Sequence, residues 1–173
     1  MTVVAYCKGI MACDSAWSDD TGMLLTRCSK LTRLPSGAII GEAGDDDSRH
    51  VQELLGKAKS PAGLPSREAL LKLTIDYAGL LVFPKGRIFS ISISAPVHGE
   101  RDHWTAGLFE VAESYYAIGH GAAHAFTAME CGKSAHDAIR LACRRDMMCR
   151  EPIHMMHLTP PQKTKARQKR CPR

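Results

Sequence analysis

The rhythm of apolar and polar positions changes several times along the chain. Residues 2–7 and 10–14 are rich in β-formers, and Lys8-Gly9 between them predicts a two-residue hairpin turn. Residues 28–34 alternate as a strand does, and Pro35-Ser36-Gly37 turns the chain into a further strand over 38–43. Gly44 and Asp45, Asp46 and Asp47 end it, and acids at that point suit the first turn of a helix over 48–59. Ser66 followed by Ala69, Leu70, Leu73 and Tyr77 at helical spacing predicts a second helix. Residues 80–83 and 87–94 flank Pro84-Lys85-Gly86 as a hairpin, and strands follow near 104–111 and 115–118. Two helices are predicted over 121–131 and 134–148, with Gly132 stopping the first and Ser134-x-x-Asp137 opening the second. A strand over 153–158 completes the series. This order predicts an α+β fold with helix pairs on antiparallel sheet, and the short hairpin loops argue against a wound parallel sheet.

Composition narrows the picture. At 173 residues, 45% apolar and 24% charged, the chain has the balance of one globular domain, predicted over residues 1–158. The longest apolar run, around Leu80 to Phe83, falls far short of the roughly 20 residues of a membrane-spanning helix. The net charge of +5 comes from residues 159–173, where six basic side chains meet no acid; the remaining residues carry −1. A basic nucleic-acid face on the domain is therefore not expected, and Pro160-Pro161 sets off the tail as a solvated, disordered end. The seven cysteines form no Cys-x-x-Cys pair, and no signal peptide precedes the first strand. Both features predict free thiols in the reducing cytoplasm.

The first candidate for chemistry is Thr2. Removal of Met1 would leave a free N-terminal threonine, in which a hydroxyl nucleophile and an amine base belong to one residue. That amine has a reference pKa of about 8, so a nearby positive charge or desolvation is needed to make it an effective base at neutral pH. A two-residue turn at Lys8-Gly9 sets Thr2 opposite Ser15 and Val3 opposite Asp14, which returns an acid to the chain start. Strict alternation points Asp14 with Val3 rather than with Thr2, a rule that relaxes at a strand end. Lys30 lies inside a strand pattern on the face of Cys28 and Thr32. It is either an edge-strand solubility lysine or the partner of a buried anion such as Asp14.

Several strings together resemble the proteasome β-type subunits. They are Thr2-Val-Val-Ala, Gly9-Ile-Met-Ala-Cys-Asp14-Ser15, Gly22, Lys30-Leu-Thr-Arg-Leu34 and Gly37-Ala-Ile-Ile-Gly41-Glu-Ala-Gly44. The pattern returns as Tyr116-Ala-Ile-Gly119-His-Gly121, Ala128-Met-Glu-Cys-Gly132 with Ser134-Ala-x-x-Ala138, and Arg145-Asp146-Met-Met-Cys149. Order, spacing and length are similar to the compact bacterial, HslV-type members over most of residues 2–158, with little contributed by residues 61–113. The resemblance implies an N-terminal-nucleophile hydrolase fold, a four-layer αββα sandwich, and a threonine peptidase acting on peptides or unfolded proteins. It implies Thr2 as nucleophile, Lys30 as the charge that tunes its amine, Asp14 as the partner of Lys30, Gly44 as oxyanion donor and Asp146 as supporting acid. By family position Cys28, Glu42 and Asp46 border the pocket for the residue before the cleaved bond, and two acids there favour a basic side chain. Assembly into stacked hexameric or heptameric rings, and service to an ATP-dependent unfoldase, are further implications. The chain has no phosphate-binding glycine motif of its own, so any use of ATP belongs to a partner.

Two positions depart from the family pattern. Its usual Gly-Ser-Gly is Gly119-His120-Gly121, and the serine three residues after the supporting acid is Cys149. His120 can accept a hydrogen bond or relay a proton, and can equally disturb the site with a positive charge; Cys149 is a poorer hydrogen-bonding partner. A ring-forming homologue with weak or no peptidase activity is the alternative. His120 and His124 are four apart, as zinc ligands often are, but no His-Glu-x-x-His or paired-cysteine motif accompanies them. No metal and no cofactor are expected. The basic tail lacks aromatics for stacking on bases, and the methionines at 147, 148, 155 and 156 read as core or subunit contact.

Overall fold

The computed structural model describes residues 2–18, 24–26, 29–44, 48–97 and 103–159. They form an α+β structure with a four-stranded and a five-stranded antiparallel sheet, a two-stranded ribbon and four α-helices. The four-stranded sheet has the order β10-β1-β2-β11, from β1 (Val3–Cys7), β2 (Ile10–Cys13), β10 (Tyr115–Gly119) and β11 (His154–His157). The five-stranded sheet runs β5-β6-β7-β8-β9, from β5 (Leu31–Arg33), β6 (Ile39–Gly44), β7 (Tyr77–Val82), β8 (Ile88–Ser94) and β9 (Thr105–Val111). The helices are α1 (Arg49–Gly56), α2 (Arg67–Leu71), α3 (Ala122–Glu130) and α4 (Ala135–Arg145).

The hairpin between β1 and β2 forms as its turn residues demand. Lys8 and Gly9 both take positive φ, 49° and 82°, and Val4 pairs with Cys13. Consecutive residues of β1 then serve different apolar clusters. Val3, Ala5 and Cys7 join Ala12 and the buried faces of α3 and α4, whereas Val4 and Tyr6 join Met11, Ile39, Leu80 and Val82 from both large sheets. A third cluster sets Ile40, Leu81, Phe89 and Ile91 against Val51 and Leu55 of α1 and Leu70 of α2. Side chains alternate across a strand, so an apolar run along β1 is what burial on both faces requires. Each fully buried Leu or Ile in these clusters stabilises by about 1.5–3 kcal/mol. The two large sheets approach each other tightly at Gly41, where an added methyl would lie 2.8 Å from Met11 Sδ and also against Val4.

Several expectations need correction. The helix read from Ser66 to Tyr77 stops at Leu71, with Ser66 capping it through Ala69 N–H. Thr74 takes φ 46°, and Tyr77 opens β7, where its ring is buried. Leu73 and Tyr77 are apolar because they reach one cluster from different elements, a pattern that periodicity cannot separate. Lys30 precedes β5 rather than lying inside a strand, although its carbonyl accepts from Glu42 N–H. Helix α4 ends at Arg145, which leaves Met147 and Met148 outside it. The ribbon of β3 (Ala16–Ser18) and β4 (Leu24–Thr26) was not anticipated. The aspartates at 45, 46 and 47, Gly22, Cys28 and the tail from Pro160 lie outside the described residues.

We expect Gly41→Ala to wedge the sheets apart and cost about 1–3 kcal/mol, seen as a lower midpoint in urea with an unchanged m-value. An unaltered midpoint would show that the sheets do not meet at this glycine.

Candidate active site

The hairpin brings the end of β2 back to the start of β1, and the acid there is buried. Asp14 is 0% exposed, so its carboxylate requires donors on every side. Oδ1 accepts from Thr2 Oγ1 at 2.6 Å, from Val3 N–H at 3.0 Å and from Lys30 Nζ at 3.1 Å. Oδ2 accepts from Ala16 N–H at 3.0 Å and Arg150 N–H at 3.1 Å. Lys30 Nζ also donates to Thr2 Oγ1 and to the Ala16 carbonyl, so each of its three N–H groups has an acceptor. The Thr2 hydroxyl, 2% exposed as a residue, therefore accepts from an ammonium and donates to a carboxylate.

Thr2, Asp14 and Lys30 are thus gathered at one point, and Asp14 reaches both Val3 and Thr2 because the β1–β2 ladder has ended there. Its N–H still donates to the Val3 carbonyl at 3.2 Å. Ser15, expected opposite Thr2, instead sends its hydroxyl to the Pro152 carbonyl and its N–H to the Arg150 carbonyl. The segment 150–152 was missed by sequence reasoning. It contributes backbone groups, which carry no side-chain signal.

Gly119, Gly121, His120, Asp146 and Cys149 form the flank of this site. Gly119 pairs with Val3 and takes φ 91°, and a methyl there would sit 3.0 Å from the Thr2 carbonyl carbon. A methyl on Gly121 would lie 2.7 Å from Cys149 Sγ, so both glycines are sterically required. His120 Nδ1 lies 2.6 Å from Asp146 Oδ2, and Asp146 Oδ1 accepts from Met148 N–H at 2.8 Å. Burial pushes the Asp146 carboxyl up, but hydrogen bonds from His120, the Met148 amide and the Cys149 thiol, with the charge of His120, outweigh it and hold the group below its usual range. Burial, with the carboxylates of Asp14 and Asp146, pushes the Cys149 thiol up to about 12. It stays protonated near neutrality, which excludes it as a thiolate nucleophile.

The remaining sites separate from this cluster or fall outside the described residues. Gly44 is exposed at the end of β6 with φ 147°, opposite Tyr77, and no hydrogen bond joins it to Thr2 among the described residues. Glu42 Oε2 accepts from Ser48 and from Gln52 at 2.7 Å, while Oε1 accepts from the Tyr77 hydroxyl at 3.0 Å. Burial raises the Glu42 carboxyl, partly offset by those three donors. Its oxygens are occupied within the protein, which leaves little capacity to read a substrate cation. Cys28 and Asp46 lie outside the described residues. Among the described residues no group of three or more His, Cys, Asp or Glu is placed to hold a metal ion, and no helix is long and apolar enough to cross a membrane.

No protein-family model matches the chain, and no curated protein matches it either.

Asp14→Ala is expected to destabilise by about 3–5 kcal/mol, since it leaves the Lys30 ammonium largely buried without its carboxylate. Adding Lys30→Met should recover part of that loss in a double-mutant cycle; strict additivity would contradict the pairing. Asp146 supplies a pH test. A carboxyl held low in the folded state stabilises fully above its unfolded value, near 3.9, and that contribution is lost as pH falls through the folded value. His120→Ala should therefore flatten the acid loss of stability below about pH 4, followed by denaturant titrations at stepped pH. Parallel curves for both proteins would refute the linkage.

Proposed function

We propose that this protein is an N-terminal threonine peptidase subunit of the proteasome β type, with Thr2 as nucleophile and base after Met1 is removed. The observation that carries the reading is the Thr2 hydroxyl held between Asp14 Oδ1 at 2.6 Å and the Lys30 ammonium. A threonine in such a setting needs only a free α-amine to complete its chemistry. The ammonium disfavours a second positive charge beside it and so lowers the proton affinity of the amine, while Asp14 pairs with the lysine from the other side. The hydroxyl attacks the peptide carbonyl, its proton passes to the amine, and the amine delivers it to the leaving nitrogen. Water then releases the acyl group from Thr2. The Gly44 N–H is assigned to the developing oxyanion, and Asp146 supports the site from the other flank.

The fold reading is a four-layer αββα sandwich. It is supported by the three apolar clusters, one between α3–α4 and the four-stranded sheet, one between the two large sheets, and one between the five-stranded sheet and α1–α2. The proposal includes peptide or unfolded-protein substrates, stacked homo-oligomeric rings, an ATP-dependent unfoldase as partner and a cytoplasmic setting. The substitution of the family's two hydroxyls by His120 and Cys149 favours, as second reading, a ring-forming homologue with little activity.

Intact mass and a peptide epoxyketone test this directly. We expect a chain lacking Met1 and a covalent adduct on Thr2, with adduct formation about 10²–10⁴-fold slower in Lys30→Ala. Full retention of Met1, or labelling insensitive to Lys30, would overturn the peptidase and leave the inert ring.

A further inference from the structure

The charge of −1 carried by residues 1–158 is a sum, and it conceals an uneven distribution. The β1–β2 turn, the turn before β6, the end of α1 and the β7–β8 turn meet at one end of the molecule. Leu158 N–H donates to the Gly9 carbonyl at 2.8 Å, and Arg33 Nη1 donates to the carbonyls of Leu158 at 3.0 Å and Gly37 at 3.2 Å. A methyl on Gly37 would lie 3.4 Å from Pro84 Cγ, and one on Gly56 would lie 3.8 Å from Pro35 Cδ. These contacts gather Lys8, Arg33, Lys57 and Lys85, all exposed, around the point where β11 ends. Arg87 stands beside Lys85 but is paired with Glu110 at 2.6 Å. Glu53, one helical turn before Lys57, faces His50 at 3.9 Å, and Glu113 lies in the β9–β10 turn. Among the described residues no acid forms an ion pair with Lys8, Lys57 or Lys85. From this same point the chain runs on into residues 159–173, whose sequence adds six basic side chains and no acid. Lys8 and Thr2 stand at opposite ends of β1, about 20 Å apart along an extended strand, so this end is separate from the candidate active site.

We propose that this end of the domain and the tail together bind the phosphate backbone of double-stranded nucleic acid, without regard to base sequence. The inference does not depend on Thr2 being a nucleophile. Four exposed cations brought together by the fold repel one another, and a row of phosphates relieves that repulsion while releasing counterions to solvent. The tail extends the same charge along a partner rather than starting a second site, because it begins where the cluster lies. Its composition selects the partner. From Gln162 to Arg173 the only apolar residues are Ala166, Cys171 and Pro172, too few to insert into a membrane surface. It has no aromatic side chain on which an unpaired base could stack, which favours a duplex over a single strand. Lysine and arginine contacts to phosphate fix position and carry no sequence information.

The test is fluorescence anisotropy of labelled DNA duplexes of two unrelated sequences, titrated with the full chain at stepped salt. We expect equal affinity for both duplexes and a logarithmic loss of binding with salt, of slope about 0.9 per phosphate neutralised. Lys8→Asn with Lys85→Gln, in which asparagine tolerates the positive φ at position 8, should reduce that slope by about 2 and weaken binding about 10–100-fold at 0.1 M salt. Lys163→Gln, Lys165→Gln and Lys169→Gln together, in the otherwise intact chain, should reduce it by about 3. Unchanged urea midpoints show that both variants fold, and epoxyketone labelling of Thr2 should match the native chain in each. A pole variant that binds as the native chain does would overturn the joint site and leave the tail acting alone. No duplex binding at low salt, or capture by phosphatidylserine vesicles without duplex binding, would overturn the proposal outright.

Discussion

A single carboxylate holds the chain start in place. Asp14 has no access to solvent, and five donors meet it, from Thr2, Val3, Ala16, Lys30 and Arg150. Those donors come from the start of β1, the start of β3, the approach to β5 and the segment following α4. Burial makes each of them stronger and makes the loss of any one more costly, because no water can substitute. The geometry around Thr2 is therefore a by-product of satisfying one buried charge. With Asp14 folded inside, the lysine paired with it lies against both the threonine hydroxyl and the Ala16 carbonyl.

How much of this could be read from the residues depends on what kind of signal each carried. The β1–β2 hairpin was legible because Lys8-Gly9 specifies a turn with two left-handed residues, and the turn in turn fixes which positions meet. Caps at Ser66 and Ser134 were legible for the same reason, since a hydroxyl before a helical run has one favourable use. The helix read through Tyr77 was not, because apolar spacing alone does not say which element delivers each side chain to the core. Nor could the role of segment 150–152 be read. Its N–H and carbonyl groups at Arg150 and Pro152 are common to almost any residue.

The polar interior also redirects the expectation for specificity. Glu42 shares its face of β6 with Gly44, as alternation requires, yet its carboxylate is spent on Ser48, Gln52 and Tyr77. These bonds tie β6 to β7 and to the start of α1. Glu42 is thus a brace behind the exposed glycine at the strand end, and any preference for basic residues would rest on other groups. Cys149 follows a parallel logic: in place of a hydroxyl it offers a thiol that burial keeps protonated, able to donate to Asp146 but not to attack.

The two-residue reversal at Lys8-Gly9 has a final implication for how such a chain can change over time. Every partner across β1 and β2 is set by that loop's length, and side chains on a strand repeat every two positions. Lengthening the loop by one residue would rotate Met11 and Cys13 toward the helices and Ala12 toward the opposite sheet, and would carry the carboxylate away from the hydroxyl it grips. The loop is thus constrained in its count as well as in the positive φ that Gly9 supplies. The hairpin's length is accordingly as strict an inheritance as the glycine that closes it.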